Sequence, residues 1–294
     1  MKDNLLQDLL DHLTLEPLGE DRFSGESRSL GGKSVFGGQV LAQALLAANA
    51  TVTGRHAHSL HAYFLLTGDP EAPIVYEVER IRDGRSFATR RVVAMQHGRP
   101  IFNMAVSFQV AEEGLEHHLP MPEVPGPEGL SSGSELYRRI ADHLPATHRE
   151  SLTAERPIEM RPVHPRDLLN PERRPAQRQV WLRTIGALPD NPALHQAMLA
   201  YASDFTLLAT ALFPHGLSFF NPEVQALSLD HAMWFHHPFR MDDWLLYAMD
   251  SPSASGGRGL SRGSIFTRDG RLIASVAQEG VIRLRDKGGK GGGL

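Results

Sequence analysis

The sequence lacks cysteine altogether among its 294 residues. Disulfide bridges, cysteine nucleophiles and cysteine-ligated metals are therefore excluded. It also lacks an excess of charge of either sign, because 30 Lys and Arg against 34 Asp and Glu give a net charge of −4. This balance gives no reason to expect nucleic acid or an anionic membrane as a partner, and leaves room for an anionic small ligand at a local basic patch.

Targeting signals are missing from the sequence as well. The N-terminal segment has leucines at helical spacing, but acids interrupt them, and it has neither a basic start nor the continuous apolar stretch of a secretory signal. The C-terminal Gly-Gly-Leu differs from the peroxisomal address Ser-Lys-Leu. A long apolar run, 193–213, contains Asp204, which a membrane span would rarely accept. We therefore expect a cytoplasmic protein with no membrane span.

An internal repeat organises the chain. The segments HSLHAYFLL and SFATRRVVAMQHGRPIFNMAVSFQV in the first half align with LSLDHAMWFHH and GLSRGSIFTRDGRLIASVAQEGVIRL in the second. This alignment pairs His61 with His231 and Arg90 with Arg262, at offsets of 170 and 172 residues. Since the period is far longer than that of a solenoid repeat, it indicates a duplicated domain.

Each copy begins with an apolar helix, predicted over 38–50 and again over about 194–213, and continues as strands joined by hairpin turns at 96–99 and 268–271. One helix followed by several strands predicts the α+β class. The expected fold is two tandem hotdog domains, each an antiparallel sheet wrapped around a central helix. We place them at 1–111 and 176–286, separated by a linker over 112–175 with some helix near 135–143, and followed by a flexible tail over 287–294.

Three polar side chains fall in otherwise apolar elements. Asp204 lies within the second apolar helix, where an unpaired buried carboxylate would cost several kcal/mol, so it needs partners or a functional water. Gln278 shares a strand face with apolar residues and must be hydrogen-bonded there. Ser228, before the LDHAMWFHH strand, can donate and accept a hydrogen bond at once. By themselves these residues fit a structural role as well as a catalytic one.

The glycines that open the first apolar helix are a possible binding feature. Gly37, Gly38 and Gln39 place free N–H groups where an oxyanion or phosphate could bind, although a tight loop-to-helix junction would need the same residues. The strand histidines His58 and His61 lack a convincing third ligand, so they predict no metal site.

A serine motif in the second copy suggests a different chemistry. Ser261 lies in a G-x-S-x-G sequence, the pattern of a nucleophile elbow. An elbow requires a strand, a sharp turn and then a helix, whereas the residues that follow Ser261 continue as a strand into a hairpin. We therefore expect no serine nucleophile at this position.

Taken in order, VFGGQVLAQAL, HSLHAYFL, RDGRSFATRRV, YASDF, SLDHAMWFHHPF and QEGVIR closely resemble the type II acyl-CoA thioesterases of the TesB kind, over about 15–285. The resemblance implies tandem hotdog domains that hydrolyse acyl-CoA to free fatty acid and CoA without metal or organic cofactor. It also implies a catalytic set of Asp204, Ser228 and Gln278 that activates a water, with Ser228 standing where many members appear to carry threonine.

The resulting prediction is an acyl-CoA hydrolase that acts on medium- or long-chain acyl-CoA as a homodimer or homotetramer. The segment at Gly37, Gly38 and Gln39 is the predicted substrate-binding element. Two alternatives remain: a hotdog hydratase or dehydratase of acyl thioesters, which needs a histidine and an acid near the helix start, and a noncatalytic acyl-CoA-binding protein.

Overall fold

The first half of the chain contains one central helix and six strands. The computed structural model describes residues 2–144, 146–167 and 169–285. The elements of the first half are α1 (Lys2–Leu13), β1 (Glu16–Gly19), β2 (Arg22–Gly25), α2 (Gly37–Ala50), β3 (His56–Phe64), β4 (Ile74–Asp83), β5 (Phe87–Gln96) and β6 (Arg99–Gln109). The leucines of α1 that share one helical face are buried in the core, as their spacing predicts.

The second half repeats this plan after a structured connection. The connection holds α3 (Gly133–Arg139), a 3₁₀ segment (Ala141–His143), α4 (Ala146–Thr153) and β7 (Ile158–Pro162). The second half consists of β8 (Gln177–Thr184), α5 (Pro192–Ser203), a 3₁₀ segment (Leu208–His215), β9 (Val224–Ser228), β10 (Asp230–Phe235), β11 (Leu245–Ser255), β12 (Arg258–Thr267) and β13 (Leu272–Leu284).

All thirteen strands of the described residues join one antiparallel sheet, in the order β1-β2-β4-β5-β6-β3-β10-β13-β12-β11-β8-β7, with β9 also paired to β13. Both hairpin turns form where the sequence predicts them, between β5 and β6 and between β12 and β13. The first turn uses His97 and Gly98, both at positive φ, as a two-residue hairpin requires. The predicted linker over 112–175 contains α3, α4 and β7, so it is not merely a connection. The domain boundaries stay a prediction, and the predicted tail over 287–294 lies outside the described residues.

The duplication is visible in the packing of equivalent strands. Tyr76 of β4 and Tyr247 of β11 are 171 residues apart, and both are fully buried. Each hydroxyl donates to the central helix of its own half, from Tyr76 to Gln43 Oε1 at 2.7 Å and from Tyr247 to the Ser203 carbonyl at 3.2 Å. Their neighbours in the next strand, Ala94 and Ile265, are again 171 residues apart.

This offset corrects the pairing of the two histidines. The halves meet where β3 pairs with β10, with His61 opposite Ala232 and His231 opposite Ala62. Opposite residues of an antiparallel pair share a face, so His61 and His231 lie on opposite faces. His61 is exposed and packs edge-on against Trp234, whereas His231 is fully buried. An even offset between the copies had suggested equivalent positions, but strand geometry reverses the face with every single-residue shift.

The predicted helix over 194–213 is also corrected, because it is broken. The helix α5 ends at Ser203, Asp204 is its C-cap, and a 3₁₀ segment resumes at Leu208. The apolar residues on both sides of the break are buried, so a hydrophobicity pattern does not reveal it. The whole segment Pro192–His215 is long and apolar enough to cross a membrane, yet 72% of its most apolar window is buried within the fold. It is the core of the second half.

The two central helices approach each other at the start of α2. A side-chain carbon at Gly38 would overlap the Tyr201 carbonyl of α5 and the ring of Phe36. Only glycine therefore permits this backbone contact between the halves.

We predict that Gly38→Ala lowers the free energy of unfolding by about 1–3 kcal/mol, because α2 and α5 must move apart. Gly32→Ala is the matched control: its added carbon would meet nothing closer than 4.0 Å. Urea unfolding followed by circular dichroism measures both changes. Equal stability of the two variants would contradict the close helix contact.

Candidate active site

The side chain of Gln278 joins the two other predicted residues. Its Nε2 donates to Asp204 Oδ1 at 2.6 Å and to Ser228 Oγ at 3.0 Å. These contacts connect β13, the end of α5 and the end of β9, which are separated by 74 and 50 positions in the sequence. The opposite orientation of the amide would turn its oxygen towards the carboxylate, which electrostatics disfavours. The structure therefore brings Asp204, Ser228 and Gln278 together in one polar cluster, while their catalytic role stays a prediction.

Strand register explains how Ser228 reaches this cluster. Ser228 lies directly opposite Gly280 where β9 pairs with β13, two residues beyond Gln278 on the same strand face. Gly280 offers no side chain between them, since the space is filled by Leu208. The corner after Ser228 is fixed to β13 because the Glu279 N–H donates to Asp230 Oδ1 at 2.6 Å. The serine is thus held on both sides of the glutamine.

The carboxylate of Asp204 is buried and points at the start of α2, its side chain being 6% exposed. The residue before α2, Phe36, provides no side-chain cap. The Gly38 N–H instead favours the ionised form of Asp204, as helix N-termini do for anions. Burial nevertheless dominates over this contact and over the Gln278 hydrogen bond, and it raises the pKa of Asp204 to about 6.

Two further titratable side chains face Asp204, and the sequence pattern did not single them out as part of the site. His231 Nδ1 lies 3.9 Å from Asp204 Oδ1, and its Nε2 lies 3.0 Å from the Ser203 hydroxyl. Burial lowers the pKa of His231 to about 3, so the imidazole stays neutral. Burial also raises the pKa of Tyr247, whose hydroxyl is bonded to the Ser203 carbonyl. Neither group therefore competes with Asp204 for a proton near pH 6.

The predicted binding segment divides into three different environments. A carbon added at Gly37 would lie 2.7 Å from Asp204 Oδ2, so this glycine borders the carboxylate. The Gly38 N–H is directed at Asp204. The Gln39 side chain, in contrast, binds the Glu26 carbonyl at 2.9 Å, and its N–H donates to the Phe36 carbonyl. Gln39 fixes the preceding segment to α2 and is turned away from the cluster.

Ser261 lies within β12 and not at an elbow. Its strand runs unbroken from Arg258 to Thr267, so the strand–turn–helix geometry of a nucleophile elbow does not form. His58 is bonded to Ser107 at 2.8 Å, remote from the cluster in the sheet. No group of three His, Asp or Glu side chains suited to a metal occurs in the residues that the structure describes.

Comparison with known proteins matches this geometry to a family. A family model described as acyl-CoA thioesterase matches residues 147–281, and one described as the acyl-CoA thioesterase N-terminal domain matches residues 26–109. The acyl-CoA thioesterase 2 of Haemophilus influenzae is 42% identical over 96% of this chain and 99% of its own length. The chain belongs to the acyl-CoA thioesterase family. The family, and the hydrolase class that the sequence predicts, are thereby confirmed.

Solved structures agree with the fold of this thioesterase family. An acyl-CoA thioesterase II, TesB2, from Mycobacterium marinum superimposes with a TM-score of 0.77 at 43% identity, over 94% of this chain and 98% of its own. A hotdog-fold protein of Alicyclobacillus acidocaldarius reaches 0.74 at 20% identity, over 94% and 98%, which supports the fold alone. The prediction of tandem hotdog domains in the α+β class is confirmed.

A cavity borders the acid of this thioesterase. It has a volume of about 400 Å³ and lies between the loop at Leu30, the α4–β7 connection and the end of α5. Tyr201 and Phe205, on either side of Asp204, line it, and both rings contact Phe36 in front of α2. Another cavity, of about 460 Å³ near Trp244, includes none of the predicted site residues.

We predict a pH-dependent stability for this thioesterase that originates at Asp204. The folded state holds the Asp204 proton up to about pH 6, against a model value of 3.8. A raised folded pKa gives stability below the unfolded pKa that is lost as the pH rises through the folded one. From pH 4 to pH 7 the wild type should lose about 3 kcal/mol relative to Asp204→Asn.

Urea unfolding of both proteins at several pH values measures this difference. Using the difference cancels the remaining titrating groups and any constant effect of the substitution. A difference that does not change between pH 4 and pH 7 would contradict the raised pKa.

Proposed function

We propose that the protein hydrolyses acyl-CoA by direct attack of a water that Asp204 and Ser228 hold. The observation that carries this proposal is the Gln278 amide, whose nitrogen is within hydrogen-bond distance of both Asp204 and Ser228. Because these bonds use both amide hydrogens, Gln278 orients the acid and the hydroxyl and does not itself bind the water. The resemblance to TesB-type enzymes had suggested three equal ligands of the water.

The chemical step follows from the charges of the site. The water oxygen bonds to the thioester carbonyl carbon while Asp204 takes one water proton. The tetrahedral intermediate expels the CoA thiolate, and Asp204 returns the proton to that sulfur. A base with a pKa of about 6 is largely ionised at neutral pH and still releases its proton, which suits this double role. A thioester is activated enough that no enzyme nucleophile is needed.

The oxyanion of the intermediate requires donors close to Asp204. The N–H of Gly37 is the best candidate of the predicted binding segment, because Gly38 is directed at Asp204 and Gln39 is bonded within its own turn. An N–H at a helix start also carries the positive end of the helix dipole. Binding of substrate by Gly37 thus explains why a side chain is not tolerated beside the carboxylate.

A hydratase is the second candidate, because it has a specific observation in its favour. His231 and Asp204 form a histidine–acid pair near the start of α2. Such a pair must touch the substrate, whereas His231 is fully buried and shares its Nε2 with Ser203. This favours hydrolysis over hydration. A noncatalytic acyl-CoA-binding protein would not need a carboxylate kept at the expense of burial.

The cavity beside Tyr201 and Phe205 is the best-placed room for the acyl chain. Its apolar wall supports the predicted preference for medium or long chains. The cytoplasmic location and the homodimer or homotetramer also remain predictions from the sequence. Exposed apolar side chains near the β3–β10 junction, such as Tyr63 and Trp234, are consistent with further association.

The catalytic proposal predicts a graded set of losses in CoA release from one acyl-CoA. Asp204→Asn should lower kcat roughly 10²- to 10⁴-fold, the range for a general base. Gln278→Ala and Ser228→Ala should each cost roughly 10²- to 10³-fold, as for loss of one preorganised hydrogen-bond partner. Ser228→Thr keeps the hydroxyl and should be close to neutral. The wild-type kcat/KM should rise with pH through about 6, and this dependence should vanish in Asp204→Asn.

Intact mass spectrometry of the quenched enzyme is the control for this set. Attack by water leaves no acyl adduct on the protein. An acyl-enzyme on any serine, or an Asp204→Asn variant with full activity, would overturn the mechanism. Hydration of an enoyl-CoA without CoA release would instead identify the second candidate.

Substrate choice should follow the length of the chain. Each methylene buried in the cavity contributes about 0.8 kcal/mol, so kcat/KM should rise about fourfold per added CH₂ until the cavity is full. The measurement is hydrolysis of a series from acetyl-CoA to palmitoyl-CoA. A preference for acetyl-CoA over decanoyl-CoA would contradict it. Ala154→Phe, which narrows the cavity wall, should reduce the ratio of decanoyl-CoA to acetyl-CoA turnover.

A further inference from the structure

Two buried polar atoms next to the site have no hydrogen-bond partner among the described residues. They are Gln278 Oε1 and Ser261 Oγ, both in fully buried side chains. Ser261 lies directly opposite Gln278 where β12 pairs with β13, so the two side chains leave the sheet on the same face. Opposite side chains start about 5 Å apart, which is within reach of a hydrogen bond after rotation of the serine hydroxyl.

The surroundings of Ser261 explain the G-x-S-x-G motif as a packing feature. Gly259 and Gly263 share its strand face, and added carbons there would meet Ala211 at 2.8 Å or overlap Tyr247. Small residues are thus required where the 3₁₀ segment and Tyr247 approach β12. An alanine would satisfy this demand for space at Ser261 equally well. Packing alone therefore does not account for the hydroxyl.

The first half of the chain has a charged residue at the equivalent place. Arg90 lies four residues before Ala94, as Ser261 lies four before Ile265, and both face the end of the central helix. Arg90 binds the carbonyl and hydroxyl of Thr51, the C-cap of α2. The C-cap of α5 is Asp204. A cation at Ser261 would face that carboxylate and stabilise its ionised form, so the second copy keeps a neutral donor there.

We infer that the Ser261 hydroxyl donates to Gln278 Oε1, directly or through one water, and thereby holds the amide with its nitrogen towards Asp204 and Ser228. Ser261 is then a positioning residue for the proposed reaction, on which this inference rests. The need is greatest when Asp204 carries the proton. A protonated acid can donate to the amide oxygen, so its charge no longer enforces the orientation of Gln278.

Ser261→Ala separates this role from simple packing through the sign of its effect on Tm. If the hydroxyl has no partner, its removal should raise Tm or leave it unchanged. If it satisfies Gln278 Oε1, its removal leaves a buried acceptor unpaired and should lower Tm. On an acyl-CoA that the wild type hydrolyses, kcat should fall roughly 10- to 100-fold with KM within about twofold, the scale for misplacing a reacting group. Ser264→Ala, on the outward face of the same strand, is the matched control and should match the wild type.

A double variant completes the test. Ser261→Ala should cost nothing further in kcat when added to Gln278→Ala, because its effect passes through Gln278. Ser261→Cys, a weak donor of similar size, should recover part of the loss and serves if the alanine variant does not fold. An unchanged kcat in Ser261→Ala, or an additive loss in the double variant, would overturn the inference. A wild type that releases no CoA would instead count against the proposed function, while the sign of the Tm change would still test the Ser261 contact.

Discussion

The buried carboxylate of Asp204 is the constraint around which the two halves of the molecule are arranged. It ends α5, faces the uncapped start of α2 from the other half, and accepts a hydrogen bond from β13. An isolated buried charge is too costly to retain, so each of these neighbours is needed for the fold as well as for the site. The close contact at Gly38 follows from the same requirement, because the helix start reaches the acid only where no side chain intervenes.

The balance of forces on this acid favours a proton acceptor that works near neutral pH. Burial raises its pKa, while the glutamine and the helix start lower it, and the outcome is about 6. His231 is 3.9 Å away but is held near 3 by the same burial. The difference is large enough that the proton rests on the acid and not on the imidazole. The histidine therefore shapes the pocket without acting as a base.

Local patterns in the sequence could predict the duplication, the hairpins and the polar residues of the site, because each is a departure from its surroundings that needs no tertiary information. Asp204 interrupts an apolar run, and Gly98 marks a turn that requires positive φ. The break after Ser203 could not be predicted, since residues on both sides are apolar. The roles of Gln39 and His231 depend on which segments meet across the halves, and the face of a strand residue reverses with a shift of one position.

Duplication also explains why one chain has a single polar cluster of this kind at the helix ends. The equivalent strand pair is Arg90 with Val106 in the first half and Ser261 with Gln278 in the second. In the first half a guanidinium meets the C-terminal end of α2, the arrangement that the helix dipole favours. In the second half an acid occupies that end, where the dipole disfavours it, and no cation faces it from the equivalent position. The first copy thus supplies the stable version of the junction together with the helix start, and the second copy uses the same geometry to keep a carboxylate ready to take a proton.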